Sequence, residues 1–558
     1  MTNAEISDNF SLLAKLMDVH GNNSFKAKSY ASAAFNIDRL TVELSDLPTT
    51  SISNQPGIGV TIANKIIEQL STGTLTILNE LIQSTPEGVL QMIQIKGIGA
   101  KKINCIWKEM GIETLGELLY ACNENRLTRY KGFGEKTQEN IKTALEYFMQ
   151  NQGNYLHAQV IPYSEALIPL LRQQFPESIF KISGALVRQL EVITELVIIT
   201  NVAATALNSY LIKQEFAVEL LSTDYIKAKS TNNLLHVFYC TETKEEVTLK
   251  AFEHSCSTNF WAEWQKAYPT IVTGKYTEEN EIFEAAGIPF IPPFLRENET
   301  IFLQKNYVDY DNIIKVNDVK GIIHSHSKWS DGNNTLQEMA LAAKQKGYEY
   351  LVISDHSKSA FYANGLVEET IEKQHVEIDK LNKQLQNFTI YKSIECDILN
   401  DGSLDYDDDV LASFDIVIAS IHSNLNMTEE KAMQRLISAI ENPYTSILGH
   451  LTGRLLLSRK GYPVDHKKII QACAANDVVI ELNAHPRRLD IDWRWIEYAL
   501  EKGVLISINP DAHSIEGFDD IKAGVLVAQK AALSRQQNLS SFSKKDFEAF
   551  IIQQHQKR

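Results

Sequence analysis

The sequence contains few cysteines and no long apolar run. Its six cysteines among 558 residues include no Cys-x-x-Cys pair, which excludes a disulfide framework and a zinc ribbon. No window approaches the roughly 18 unbroken apolar residues of a membrane span, and the start MTNAEISDNF lacks the basic-then-apolar order of a signal peptide. We therefore expect a cytoplasmic protein without membrane contacts.

Positive charge is also in deficit. The chain has 54 Lys and Arg against 70 Asp and Glu, which gives a formal net charge of −16. A nucleic-acid binder with this balance cannot rely on a global positive field, so its contacts with the nucleic acid must be local. The length predicts about three to five domains at roughly 100–200 residues each.

What the sequence does contain is a cluster of histidines. Nine of the 14 histidines lie between His324 and His513. In the surrounding region, 318–530, seven short β-rich runs such as GIIHSH, YLVISDH and SILGH alternate with helical runs. This alternation predicts a parallel sheet with right-handed crossovers. Polar residues at the strand ends favour a barrel with its mouth at those ends, and an open doubly wound sheet is the alternative.

Metal-binding side chains end six of the seven predicted strands. The tripeptides at 324–326 and 511–513 each place two such residues at i and i+2, on one side of an extended chain. Nine ligands would suffice for two or three divalent ions, and imidazole with carboxylate fits zinc, manganese or iron. We expect His375, His466 and His485 to take no part. The nine candidate ligands are His324, His326, Asp331, His356, Glu395, His422, His450, Asp511 and His513.

A site with several metal ions, imidazoles and carboxylates typically activates water for hydrolysis and holds phosphoryl oxygens. Arg454 follows His450 by four residues and could clamp a phosphate with two hydrogen bonds. Arg487 or Arg488 could do the same, although both are equally compatible with solvated surface positions.

The first 150 residues are predicted to be helical, with apolar residues at helical spacing between glycine turns. Glycines let a backbone approach a ligand closely, and the next helix offers N–H groups that suit a phosphate. Three such turns resemble helix-hairpin-helix modules, which bind a nucleic-acid backbone without reading its sequence, and a plain helical bundle is the alternative. The glycine pairs and the lysines after them are Gly57 and Gly59 with Lys65, Gly97 and Gly99 with Lys101 and Lys102, and Gly132 and Gly134 with Lys136.

Several of these motifs together resemble one known family. The segments GIIHSHSKWSDG, VISDHS, IECDIL, ASIHS, GHLTGRLLLSRKGY, ELNAHPRRLD and PDAH resemble the PHP (polymerase and histidinol phosphatase) domain of bacterial family X DNA polymerases. The nine candidate ligands match that family's metal ligands, and Leu451 replaces an expected proline without touching them. The resemblance extends over nearly the whole chain, since NNSFKAKSYASAA, IKGIGAKK, KGFGEKT and IFEAAGIPFIPPFLRE resemble its lyase-like, hairpin and thumb segments.

The resemblance implies an order of domains. These are a lyase-like helical domain with a helix-hairpin-helix (1–85), a fingers-like helix-hairpin-helix region (86–150), a nucleotidyltransferase-like α/β palm and thumb (151–300), a linker (301–317) and a seven-stranded (β/α) PHP barrel (318–558). Lys65 falls where related lyase domains place a Schiff-base lysine, and a phosphate-contacting lysine is the alternative. Lys26 and Lys28 would contact a 5′ phosphate.

The polymerase centre of that family is degenerate here. A polymerase needs carboxylates at i and i+2 on one strand and a third on a neighbouring strand to bind two magnesium ions. We expect the palm to persist as a scaffold that does not synthesise DNA, and Mg²⁺ would matter only if the centre were active. The positions concerned are Gly184 and Ala185 in place of Gly-Ser, Arg188 nearby, Glu195 and Val197 at the paired carboxylates and His236 at the third.

These inferences predict a DNA-binding, metal-dependent phosphodiesterase. We expect a monomeric 3′-5′ exonuclease that uses two or three Mn²⁺ or Zn²⁺ ions on gapped, nicked or 3′-ended DNA in base excision or gap repair. The alternatives are an active family X repair polymerase with a PHP editing domain, a small-molecule phosphomonoesterase of the histidinol-phosphatase type, and a non-enzymatic scaffold for DNA ends.

Overall fold

The computed structural model describes residues 1–22, 24–40, 42–123, 126–231, 233–305 and 307–558. The chain divides into two units, Met1–Gln152 and Gly153–Arg558. Among the described residues, none of the helices combines the length and apolar character that crossing a bilayer requires.

In the first unit, all regular secondary structure of the described residues is helical. Thr2 begins the first helix with a capping box, in which its side chain and that of Glu5 bond each other's backbone N–H groups. One apolar core contains Phe10 and Ile66, and a second contains Trp107 and Leu145. The helices are α1 (Asn3–Val19), α2 (Ser24–Asp38), α3 (Val60–Thr72), α4 (Thr76–Gln83), α5 (Glu87–Gln94), α6 (Ala100–Asn104), α7 (Leu115–Asn123) and α8 (Glu135–Gln150).

The second unit begins with a mixed α/β region around a five-stranded sheet. Its strands lie in the order β2-β4-β7-β6-β5, and β4 and β7 are its parallel pair. The elements are β1 (Tyr155–Leu156), α9 (His157–Gln174), β2 (Phe180–Ser183), β3 (Val192–Ile193), β4 (Glu195–Thr200), α10 (Ala204–Lys213), β5 (Ala217–Leu221), β6 (Tyr225–Lys229), β7 (Leu235–Cys240), α11 (Lys244–His254), α12 (Thr258–Ala267), α13 (Glu279–Ala286) and α14 (Thr300–Leu303).

Parts of the predicted linker, 301–317, are packed. Phe302 joins an apolar core with Trp264, and Ile314 is fully buried against the C-terminal region. The Ile314 N–H also donates to the Leu533 carbonyl at 2.9 Å. Four apolar residues of this charged stretch are buried: Ile301, Phe302, Ile313 and Ile314.

The C-terminal region is a nearly closed parallel barrel. Seven strands pair in sequence order from β8 to β14, and the His326 N–H donates to the Ala512 carbonyl at 2.8 Å across the remaining gap. The elements are β8 (Gly321–Ser325), α15 (Leu336–Gln345), β9 (Tyr350–Ile353), α16 (Glu368–Gln384), β10 (Thr389–Asp397), α17 (Asp408–Leu411), β11 (Ile416–Ser420), α18 (Glu429–Ile440), β12 (Ile447–Leu448), α19 (His466–Ala475), β13 (Val479–Asn483), α20 (Ile496–Glu501), β14 (Ile506–Asn509), α21 (Ile521–Gln529) and α22 (Lys544–His555).

This order confirms the predicted β/α barrel and excludes the open doubly wound sheet, in which the strand order would reverse. The strands are buried and rich in Ile and Val, as expected of parallel strands covered by helices. Phe547 of α22 stacks on Tyr350 at a centroid distance of 4.5 Å, in the apolar core that also contains Ile418 and Val479.

Candidate metal centre

The candidate ligands lie at the carboxyl ends of the barrel strands. His324 is on β8, Glu395 is on β10, and the other seven follow β8, β9, β11, β12 and β14 within a few residues. Because all seven strands are parallel, these ends meet at one mouth of the barrel. The topology alone therefore brings residues together that are up to 189 positions apart.

Their ligand atoms form three overlapping groups, within each of which all atoms lie within 4.8 Å of one another. Glu395 is central: its Oε1 lies 3.1 Å from His422 Nε2 and 2.9 Å from His450 Nε2, although His450 belongs to none of the three groups. The groups are His326 with Asp331, His356 and His513; His324 with His326, Glu395 and Asp511; and His356 with Glu395 and His422. The structure thus brings all nine together, and their role as ligands stays a prediction.

The donor atoms fit divalent cations. His324 Nε2, His326 Nδ1 and Glu395 Oε2 are buried and have no hydrogen-bond partner among the described residues. Leaving such an atom unsatisfied costs about 1–3 kcal/mol, and a cation bound between them would remove that cost. The Asp331 and His513 side chains are 33% and 39% exposed, so one group also opens to solvent.

The electrostatics indicate the same preference for cations. Burial on its own would lower the pKa of His422, but the facing carboxylates of Glu395 and Asp397 raise it to about 10. The pKa of His513 is raised to about 9, against the effect of burial, by Asp331 and Asp511. In the metal-free protein, protons on His422 and His513 therefore balance the negative charge of the facing carboxylates. A divalent ion would balance the same negative charge.

Sequence reasoning missed three buried acids beside the candidate ligands, of which Glu481 and Asp397 contact ligands directly and Asp355 holds the backbone after His326. Glu481 on β13 lies with Oε2 2.6 Å from His324 Nδ1, and its Oε1 accepts the His450 N–H at 3.0 Å. Asp397 pairs with His422 Nδ1, and Asp355 accepts the Ser327 N–H at 2.8 Å. A carboxylate buried at the end of a strand requires a hydrogen-bond or charged partner. An acidic residue at the end of an apolar strand, as in VIELN, ECD and ISD, was therefore the sequence signal that could have identified these three acids.

Arg454, the predicted phosphate clamp, is engaged with the loop after β13. Each of its three nitrogens donates to a protein partner: the carbonyls of Arg488 and Leu489, and the Asp492 carboxylate at 2.8 Å. Its role as a phosphate clamp stays a prediction. Arg488, in that loop, lies closer to the centre, with Nε 3.4 Å from Asp511 Oδ2.

The three histidines expected to take no part have other surroundings. His375 packs edge-on against Phe414, and burial lowers its pKa to about 4. His466 stacks on Trp495 at 4.7 Å, and His485 Nδ1 accepts the Arg487 N–H at 3.2 Å. None of the three belongs to a cluster of candidate ligands in the described chain.

The three glycine turns of the first unit share one geometry. Gly57, Gly97 and Gly132 have φ of +73°, +99° and +93°, a region that favours glycine. The second glycine of each turn is the N-cap of a helix, and because glycine has no side chain it cannot cap the first N–H groups. These N-caps are Gly59 of α3, Gly99 of α6 and Gly134 of α8. The first N–H groups of these helices can therefore donate hydrogen bonds to an anion.

Most of the predicted DNA-contacting lysines are on the surface. Lys26, Lys28, Lys101 and Lys136 are exposed, and Lys102 is half-buried. Lys65 pairs with Glu68 at 2.6 Å, a contact that lowers the pKa of Glu68 to about 2. This ion pair engages the amine that a Schiff base would need. The DNA-binding and lyase roles of these residues stay predictions.

In the palm, the structure corrects the position of one residue. Because side chains alternate along a strand, the residues on β7 that share a face with Glu195 and Val197 are their register partners, Leu235 and Val237. His236 pairs with Leu196 and points to the opposite face, where it is fully buried beside Phe216. The third position thus also lacks a carboxylate, but the residue there is not His236.

Apolar packing fills the place of the missing second carboxylate. Val197 is 3% exposed and belongs to an apolar cluster with Ile199 and Val237. A Cβ on Gly184 would come within 2.7 Å of Val197 Cγ2, so the turn closes directly over the valine. Arg188 bonds Glu297 at 2.7 Å, and with Ala185 and Glu195 it lines a cleft of about 560 Å³.

Comparisons with known proteins agree with both units. A family model described as a helix-hairpin-helix domain matches residues 1–75, and one described as a SAM-like helix-hairpin-helix tandem matches residues 89–146. Proteins named "Probable phosphatase" from Thermoanaerobacter sp. (strain X514) and Acetivibrio thermocellus are each 28% identical to this chain. Each alignment covers 34% of this chain, and the two cover 77% and 78% of the relatives' own lengths.

One relative matches along the whole chain. The Bacillus subtilis (strain 168) protein named "DNA polymerase/3′-5′ exonuclease PolX" is 34% identical over 578 aligned positions, which cover 97% of each chain. Together with the helix-hairpin-helix modules and the barrel, this similarity shows that the chain belongs to the PolX family.

Proposed function

We propose that this protein is a metal-dependent 3′-5′ exonuclease that trims DNA at gaps, nicks or 3′ ends in repair, and that it has lost polymerase activity. The convergence of nine imidazole and carboxylate side chains on one barrel mouth carries the proposal. The name of the full-length relative includes a 3′-5′ exonuclease, and the shorter relatives are named as phosphatases. Both names describe hydrolysis of phosphate esters.

The three groups of ligand atoms are best suited to two or three ions, with Mn²⁺ and Zn²⁺ the preferred candidates for imidazole and carboxylate together. Bound ions would polarise the scissile phosphoryl group and lower the pKa of a water molecule. Glu395 contributes to two groups and so fixes their spacing, while Glu481 orients His324. The partly exposed Asp331 and His513 side chains provide the side from which a DNA end can enter.

The helical modules supply DNA contacts that the net charge of −16 does not. Uncapped helix N-termini at three glycine turns suit phosphates of any sequence, which is what an enzyme acting at gaps requires. The helix-hairpin-helix models over residues 1–75 and 89–146 support the proposed domains 1–85 and 86–150. We expect the palm and thumb (151–300) and the barrel (318–558) to act with them as a monomer in the cytoplasm.

The loss of polymerase activity is supported by the palm. Valines and a leucine occupy the face where two more carboxylates would be needed beside Glu195. The test is template-directed nucleotide addition to a gapped primer with Mg²⁺ or Mn²⁺. We expect none, and extension by the wild type that Glu195→Gln abolishes would instead support the polymerase named in the relative.

The nuclease is tested with Mn²⁺ and 5′-labelled gapped DNA, comparing the wild type with His324→Ala. We expect stepwise shortening by the wild type and none by the variant. His375→Ala is the matched control, since it removes a histidine outside the centre. Equal digestion by the wild type and His324→Ala would assign the activity to another site.

A phosphomonoesterase is the second candidate, favoured by the relatives named as phosphatases. Comparing kcat/KM for gapped DNA and for a simple phosphomonoester distinguishes the two functions. An exonuclease prefers the DNA, whereas a phosphatase of small molecules leaves internal phosphodiesters intact.

A further inference from the structure

Two loops at the barrel mouth carry arginines that the metal centre does not use. One loop follows β12 and contains Arg459, and the other follows β13 and contains Arg488. The loops are joined, because the Leu456 N–H donates to the Arg487 carbonyl at 2.5 Å. Both arginines are therefore held on one part of the rim.

Each arginine is held by specific contacts. Arg488 lies with Nε 3.4 Å from Asp511 Oδ2, and its carbonyl accepts a bond from Arg454 at 2.9 Å. Arg459 Nη2 donates to the Gly453 carbonyl at 2.6 Å, and the Gly453 N–H donates in turn to the His450 carbonyl at 2.9 Å. Arg488 thus contacts a candidate ligand directly, and Arg459 is tied to the loop that begins at another.

The charges of this pair are poorly compensated. Among the ion pairs of the described residues, Arg459 has none, and the single carboxylate partner of Arg488 is Asp511, a candidate metal ligand. Burial and the neighbouring Arg488 together lower the pKa of Arg459. The two cations thus share a single carboxylate, that of Asp511, and an anion bound between them would offset their mutual repulsion.

We propose that Arg459 and Arg488 form a subsite for the phosphodiester that precedes the scissile one along a polynucleotide strand. This inference rests on the exonuclease proposed above, because the centre itself would hold the scissile phosphate. Guanidinium groups suit a phosphate through charge-assisted, paired hydrogen bonds. A second phosphate exists in a polynucleotide and is absent from a phosphomonoester, so the subsite sets substrate class.

The test compares a dinucleotide, which has one phosphodiester, with a trinucleotide, which has two. For the wild-type full chain with Mn²⁺ we expect kcat/KM to be about tenfold higher for the trinucleotide, the size of one charge-assisted contact. Arg459→Gln should abolish this ratio, and Arg459→Lys should keep part of it. Arg535→Gln, at an exposed arginine in the turn Arg535–Gln537, is the matched control and should retain the full ratio.

The salt dependence provides a second readout. The slope of log KM for the trinucleotide against log salt should decrease by about 0.7 in Arg459→Gln, as expected when one single-strand phosphate contact is lost. Equal losses on both substrates, with an unchanged slope, would overturn the subsite. A wild type that cleaves both substrates equally would overturn it and leave the exonuclease standing, whereas one that cleaves neither would overturn both proposals.

Discussion

At the level of single residues, the candidate metal centre is a set of opposing charges that suits a bound cation. Four imidazole nitrogens lie within 3.3 Å of the Glu395 carboxylate. One of these imidazoles, that of His324, contacts a second carboxylate, Glu481, through its Nδ1. The nearby imidazoles of His422, His324 and His356 lower the pKa of Glu395 well below its ordinary value, against the effect of burial. The carboxylates are therefore ionised, and either protons or metal ions must neutralise them.

Metal binding should release protons. Since the pKa of His422 is raised to about 10 and that of His513 to about 9, both are protonated at pH 7.5 in the metal-free protein. A ligating imidazole must be neutral, and the pKa of His324 is also raised well above its ordinary value. Loading with Mn²⁺ should therefore release at least two protons, and affinity should rise with pH toward 9. Calorimetry in two buffers of different ionisation enthalpy measures this release. His375→Ala should leave it unchanged, and affinity independent of pH would contradict the expectation.

A second prediction at this scale concerns Glu481. Glu481→Gln keeps the volume but removes the charge that holds His324 Nδ1, so metal affinity should fall about 10–100-fold. The measurement is a Mn²⁺ or Zn²⁺ titration of the purified protein. Glu497→Gln, at an exposed glutamate on α20, is the control. Unaltered affinity in Glu481→Gln would show that the glutamate only fills space.

At the level of elements, the uncapped helix starts of the first unit are the notable feature. Asp, Ser and Asn are the preferred N-caps, yet three helices here begin at glycine. This choice leaves N–H groups without side-chain partners at a small cost in helix stability. Such a cost is understandable if a phosphate binds in the same place.

Gly134→Asp should therefore change stability and DNA affinity in opposite directions. Gly134 has φ of −82°, and a Cβ there would meet no atom within 4 Å, so the aspartate fits and can cap α8. Stability should rise by a few tenths of a kcal/mol, while DNA affinity falls because the carboxylate occupies and repels the phosphate position.

Melting temperature and fluorescence anisotropy on gapped DNA, with EDTA present, measure the two effects. Gly134→Ala is the control, since alanine neither caps the helix nor carries charge. Equal DNA affinity of the aspartate variant and the wild type would exclude this helix start as a phosphate contact.

The sequence was sufficient for the barrel and for which side chains meet, because parallel topology brings every carboxyl strand end to one mouth. It was insufficient where a one-residue register decides the outcome: His236 lies one position from the face it was expected to occupy. It was also insufficient for Glu481, whose partner His324 is 157 residues away.

At the level of the whole molecule, the palm is a structural neighbour of the barrel within one unit. Lys530 of the barrel region is buried and donates to the Arg188 carbonyl at 2.6 Å, while Gln529 bonds Gln189 at 3.2 Å. Burial lowers the pKa of Lys530 to about 8, although Glu297 and Glu191 act in the opposite direction. A palm that keeps Glu195 but lacks the other two carboxylates thus retains a structural role, because the barrel packs on it.

The division of tasks between the two units predicts a separation of substrates by length. Under the proposed function, Gly134→Asp should weaken DNA contacts of the first unit, whereas His324→Ala should disable the barrel of the second. Cleavage of long gapped DNA at limiting concentration should fall in both variants. Cleavage of a trinucleotide, too short to need the glycine turns, should fall only in His324→Ala. The measurement is kcat/KM on both substrates with Mn²⁺, and if Gly134→Asp slowed both equally, the glycine turns would act on folding or catalysis rather than on DNA capture.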